Sequence, residues 1–178
     1  MNTLDAIFTR RSIRAYRDEA VPEEMIATLL KVAMVAPSAM DERPWHFVVV
    51  QDREKLADLA DRMEHCEMLR EAPLGMVFCG DPRLEKIPGM DFWVQDCSAC
   101  VQNVHLAAHA MGLGSVWVAL HPIDDRVGPV RQALGVPDEV IPLAILCVGF
   151  PAEDLDGEDR YDDTRVHRET WGGAGGGE

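Results

Sequence analysis

The chain has 178 residues, 47% of them hydrophobic and 27% charged, the ordinary balance of a globular chain long enough to bury a real core. Its 31 acidic side chains outnumber 17 Lys and Arg, and the net charge of -14 argues against a nucleic-acid or anionic-membrane surface. The opening residues lack the apolar core of a signal peptide, and apolar runs fall short of the ~20 residues of a membrane helix. Five cysteines, odd in number and set in apolar contexts, suit reduced thiols in a cytoplasm.

Leu4, Ile7 and Phe8 recur at helical spacing and predict a short helix over Thr3–Thr9. Pro22 opens a second helix, with Glu23 and Glu24 at the positive end of its dipole and Met25, Ile26, Leu29, Leu30, Ala33 and Met34 as an apolar face. Pro37 stops it. Trp45–Val50 is aromatic and β-branched and reads as a buried strand. Arg53–Met63 carries helical spacing again, followed by a less regular piece to Ala72, and Gly75–Gly80 is the second strand.

Asp81–Gly89, with Pro82, Pro88 and Gly89, is a loop able to cover a site. Met90–Met111 is the longest helical stretch and is apolar nearly all round, so it must be buried on several sides. Gly112 and Gly114 end it. A third strand over Ser115–Leu120, a helix over Asp125–Leu134 and a fourth strand over Ile141–Val148 complete the regular elements. An acidic run, Glu153–Asp163, reads as a solvated loop, and residues 172–178 as a flexible Gly-rich tail after a single domain over 1–171. Four strands interleaved with about five helices fit either an α/β or an α+β sandwich.

The chemistry-bearing stretch is Arg10-Arg11-Ser12-Ile13-Arg14, three guanidiniums and a hydroxyl within five residues of an acidic chain. Arg presents a planar fork of donors that matches phosphate oxygens two at a time, so the cluster asks for an anion. Three other patterns carry less. Cys97-Ser98-Ala99-Cys100 lies inside an apolar helix, where thiols pack instead of reacting, and His105 with His109 cannot complete a tetrahedral zinc site from one helix. Gly112-Leu113-Gly114 follows a helix and precedes a strand, the reverse of a dinucleotide fingerprint.

One helix beyond the arginines stands Pro37-Ser38-Ala39-Met40-Asp41-Glu42-Arg43-Pro44-Trp45. Arg-Arg-Ser-Ile-Arg followed by Pro-Ser-Ala-Met and Pro-Trp-His-Phe resembles the FMN-dependent nitroreductase family, over about Leu4 to Trp171. The resemblance implies an α+β fold, a central and largely antiparallel sheet flanked by helices, in an intertwined homodimer with FMN at the interface. It implies FMN as a tightly held cofactor, NADH or NADPH as donor, and a small acceptor such as a nitroaromatic or quinone. A flavin-binding sensor or carrier without turnover is the alternative.

By the same resemblance, Arg10, Arg11, Ser12 and Arg14 hold the phosphate and ribityl chain, and Pro37, Ser38, Ala39 and Met40 lie along the flavin of the other chain. Ala119 and Leu120 match the turn that offers a backbone N–H to the flavin ring. Arg160 best matches a late phosphate contact, with Arg165 second. Asp41 stands where relatives have Asn, and an ionised Asp only accepts hydrogen bonds. Arg43 is placed to balance its charge.

Overall fold

The computed structural model describes residues 1–173. Its centre is one antiparallel sheet in the order β1-β2-β4-β3, where β1 is Trp45–Val50, β2 Leu74–Gly80, β3 Gly114–Ala119 and β4 Ile141–Gly149. The helices are α1 (Thr3–Thr9), α2 (Glu23–Met34), α3 (Arg53–Asp61), α4 (Met68–Glu71), α5 (Phe92–Ala110) and α6 (Asp124–Leu134). This is the α+β arrangement that the family resemblance implies, with the irregular piece before Ala72 forming the single turn of α4.

Local chemistry starts several of these elements. Asn2 and Asp5 form a reciprocal capping box at the head of α1, with the Asp5 N–H donating to Asn2 Oδ1 at 3.0 Å. Asp52 caps α3 by accepting from the N–H groups of Glu54 and Lys55. Gly135, at φ 65°, ends α6 in the left-handed conformation that a side chain would strain.

The central strands β2 and β4 are buried on both faces, which is why they read as continuous apolar runs. Their period of two sorts side chains between two cores. Leu74, Met76, Phe78, Ala144, Leu146 and Val148 meet α2 and α5, while Val77, Cys79, Ile145 and Cys147 meet α3, α4 and α6. All five cysteines are free and buried, and Cys97 and Cys100 pack within the α5 core.

The helix α5 is buried from within its own chain. Its apolar side is closed by the chain's own sheet and α2, through Trp93, Cys97, Cys100, Val101, Val104 and Ala108. Uncovered apolar side chains include those of α1, where Leu4 is 64% and Phe8 70% exposed, Val35 at the end of α2, and Trp171 in the last segment, which is 91% exposed. The Gly-rich tail expected over 172–178 lies outside the described residues from 174 onward, while Gly172 and Gly173 make a turn closed by the Gly173 N–H on the Thr170 carbonyl at 2.9 Å.

Candidate functional site

After α1 the chain becomes extended and joins the free edge of β3. Ser12 bridges Ser115, with the Ile13 N–H donating to the Ser115 carbonyl at 3.0 Å. Ile13 is buried so closely over Gly114 that a Cβ there would lie 2.7 Å from its side chain, which explains a glycine at the first position of β3. With Ile13 turned into the core, alternation sends Arg10, Ser12 and Arg14 the other way.

These three residues, Arg11 and Arg160 line one cavity of about 310 Å³, closed by Ile7, Phe8, Leu155 and Glu158. Four guanidiniums therefore face a space with one carboxylate in its wall. Arg160 takes Glu158 Oε2 at 2.8 and 3.0 Å, and Arg11 donates to the Asp156 carbonyl at 2.7 Å and lies 3.5 Å from Glu158. Arg10 forms no ion pair among the described residues. Its guanidinium pKa is lowered by burial, then by the charges of Arg160 and Arg11. The acidic run after Glu153 is thus more than a solvated loop: it brings Arg160 back to the arginines of the N-terminus. Arg165 pairs instead with Asp162 at 2.9 Å and does not line the cavity.

Beneath the cluster lie two histidines of α5 that the sequence reading treated only as failed metal ligands. His105 Nδ1 is 2.8 Å from Ser115 Oγ, and His109 Nε2 is 2.8 Å from Thr9 Oγ1. Burial, with Arg10 nearby, pushes His105 down to about 4, so its imidazole is neutral at pH 7. It ties α5 to β3, the strand that Ser12 bridges.

The segment Pro37–Arg43 forms a tight turn, with a 3-10 piece at Ala39–Asp41 and left-handed backbone at Met40 (φ 47°), Asp41 (φ 58°) and Arg43 (φ 50°). Three such non-glycine residues in four positions need outside support. It comes from Asp96 of α5, whose Oδ1 accepts the Ala39 N–H at 3.0 Å, from Ser38 Oγ, which accepts the Arg43 N–H at 3.1 Å, and from Lys86 Nζ, which donates to the Met40 carbonyl at 2.6 Å. Arg43 grips Asp41 through two bonds of 2.7 and 2.8 Å, and that bond holds the exposed Asp41 carboxyl below the usual range. Asp96 and Lys86 were not found from sequence; a lone acid in the apolar stretch from Phe92 to Val101 was the available signal.

The two motifs do not meet within one chain. The turn rests on Asp96 near the start of α5, whereas the arginines adjoin His109 near its end, a separation of roughly 20 Å at 1.5 Å per residue. Ala119 closes β3 at the end remote from Ser115, and is exposed. The amide of Leu120 is committed: it donates to the Leu143 carbonyl at 3.0 Å, with the His121 N–H on the same oxygen at 3.1 Å. Leu120 is fully buried.

A sequence model of the Nitroreductase family matches residues 7–78 and 62–150. The chain belongs to the nitroreductase family. It is 48% identical over 171 residues to a Methanothermobacter thermautotrophicus protein named "Putative NADH dehydrogenase/NAD(P)H nitroreductase", covering 96% of this chain and 88% of that one. Among solved structures, one of the same description from Parabacteroides distasonis superposes with a TM-score of 0.90 at 39% identity, covering 96% of this chain and 100% of the other. An FMN-dependent nitroreductase from Clostridium difficile gives a TM-score of 0.87 at 30% identity, over 94% and 99%. The four-stranded antiparallel sheet between helical layers is therefore the nitroreductase fold.

Proposed function

We propose that this nitroreductase-family chain binds FMN and passes electrons from NADH or NADPH to a small acceptor such as a nitroaromatic or a quinone. The observation that carries this reading is the arginine cavity, in which Arg10 stands half-buried without a carboxylate partner among the described residues. A phosphate monoester fits that donor set: Arg10 and Arg14 supply charge-assisted forks, Ser12 a hydroxyl and Arg160 its remaining Nη1, while Glu158 holds the other side of Arg160 and, with Asp156, fixes Arg11 as the cavity wall. When bound, FMN supplies the redox chemistry, and the protein supplies orientation and electrostatics without a catalytic acid or base.

The separation of the two motifs supports a shared site. In a homodimer, Arg10–Arg14 of one protomer and Pro37–Asp41 of its partner would hold opposite ends of one flavin, and the exposed apolar residues of α1 and the last segment would be covered. An interface of ~2,000 Å² or more is expected of such a pair. The relatives described as NAD(P)H nitroreductase and FMN-dependent nitroreductase agree with this chemistry. A cytoplasmic setting suits five buried free thiols.

The test is the visible spectrum of the purified protein, followed by NADH or NADPH added without oxygen. A yellow protein that bleaches, then recovers colour on addition of menadione or nitrofurazone, is the expected result. FMN binding without bleaching by either donor would make the chain a flavin carrier or sensor, and failure to bind FMN would overturn the reading altogether.

A further inference from the structure

Three carboxylates converge below the Ser38–Arg43 turn, and each spends one oxygen on a backbone N–H of a different segment. Asp96 takes Ala39 at 3.0 Å, Glu42 takes Lys86 at 2.7 Å, and Glu85 takes Trp93, in the first turn of α5, at 3.0 Å. The second oxygen of each, Asp96 Oδ2, Glu42 Oε2 and Glu85 Oε2, is buried without a protein partner among the described residues. Asp96 and Glu85 are both only 6% exposed. No metal-holding group of acids or histidines occurs among the described residues. Burying three such groups together is costly and has to be repaid by what they hold in place.

What they hold is a turn that does not stand alone. Left-handed Met40, Asp41 and Arg43 are each disfavoured, and the pair Arg43–Asp41 lies on the exposed outside of the turn. Of the bonds that fix the turn from within, that to Asp96 is the one anchored on a long helix, and it grips the N–H at the start of the 3-10 piece. Lys86, the other anchor, sits in an exposed loop and is itself bound by Glu42.

We propose that Asp96 is a positioning residue for flavin-dependent turnover: from α5 it fixes the Ala39 amide, and thereby sets the Ala39–Asp41 backbone that walls the partner's flavin. This rests on the reading of Pro37–Asp41 as a flavin-facing segment. The long, buried α5 then serves as the rigid member against which the wall is registered, and Glu42 and Glu85 lock the flanking Lys86 loop and the α5 N-terminus to the same base.

The test uses the full-length holoprotein with Asp96→Asn and Asp96→Ala. Asn keeps an acceptor for the Ala39 N–H and converts the unpartnered oxygen into a donor facing Glu42 and Glu85, so FMN affinity, flavin spectrum and acceptor KM should stay within about twofold of the native protein. Ala removes the anchor, and should weaken FMN binding ~10-fold, raise acceptor KM and shift the flavin absorption band. Should Asp96→Ala fail to fold, Ala39→Pro deletes the donor of the same bond and should give the same changes. Equal FMN affinity and spectra in the Ala and Asn variants, whatever their melting temperatures, would overturn the proposal. Met40→Ala reports on the wall itself: a silent Met40→Ala would sink the flavin-facing reading, whereas a perturbed Met40→Ala beside a silent Asp96→Ala would sink the role of Asp96 alone.

Discussion

Arg10 has the sharpest expectation of any single residue. It approaches Arg160 and Arg11, which share Glu158, and forms no ion pair of its own among the described residues, so an anion entering the cavity would stabilise its place. Arg10→Ala should cost ~1.5–3 kcal/mol of FMN binding, a loss of one to two orders of magnitude in a fluorescence titration. Arg165→Ala, which breaks only an exposed pair with Asp162, should stay within about twofold. The opposite ranking would remove Arg10 from the phosphate site. His105 makes a second residue-scale prediction. Its native pKa of about 4 lies below the ordinary histidine value of 6.5, so between these the unfolded chain holds a proton that the native chain refuses. Stability should therefore fall as pH drops from 6.5 towards 4, by up to ~3 kcal/mol, and be unaffected by this group above 6.5. Asp96, whose pKa is raised by burial, acts in the opposite sense, so the contrast to measure is native protein against His105→Asn. Urea midpoints that fall equally steeply in both would discard the assignment.

At the scale of elements, the strands were legible to within a residue because their apolar and β-branched runs stop at Gly, Pro and Asp. The same logic found α2 and α5 from their punctuation. It missed α4, a single turn too short to show a period, and the left-handed residues at 40, 41 and 43, which carry side chains and not the glycines that advertise such backbone. The site was legible unevenly. Arg10, Ser12 and Arg14 announce an anion by composition, but Arg160, far along the chain, was reachable only through family resemblance. What the resemblance could not give is that the Leu120 amide donates to the Leu143 carbonyl of the sheet. Packing between elements gives its own test. At Gly80, the last residue of β2, a Cβ would lie 2.1 Å from the buried ring of Trp93 on α5. Gly80→Ala should cost ~1–3 kcal/mol and lower Tm by about 2–10 °C, as scanning calorimetry would show. An unchanged Tm would mean that the contact between α5 and the sheet is looser than the distances imply.

For the whole molecule, the proposed homodimer has to answer for an amphipathic α1 whose apolar side faces outward. Leu4→Asp places a charge on that side, away from the cavity lining. It should shift the sedimenting species towards monomer and release FMN on dilution, because a ligand spanning two chains stabilises only their assembly. A Leu4→Asp protein that sediments as the native one does, with its flavin retained, would take α1 out of the interface.

The span of α5 also bears on who owns a site. If its two ends serve different flavins, then damage to the arginines and damage to the turn belong to different bookkeeping within a dimer, and two crippled chains can mend one another. A preparation carrying Arg10→Ala and another carrying Asp96→Ala, unfolded and refolded together, would yield mixed pairs in which one site collects both lesions and the other collects neither. At FMN too dilute to fill either parent, activity should reappear in the mixture and in neither parent. Were both walls of a site furnished by a single chain, every site in the mixture would carry a lesion and the mixture would stay as poor as its components.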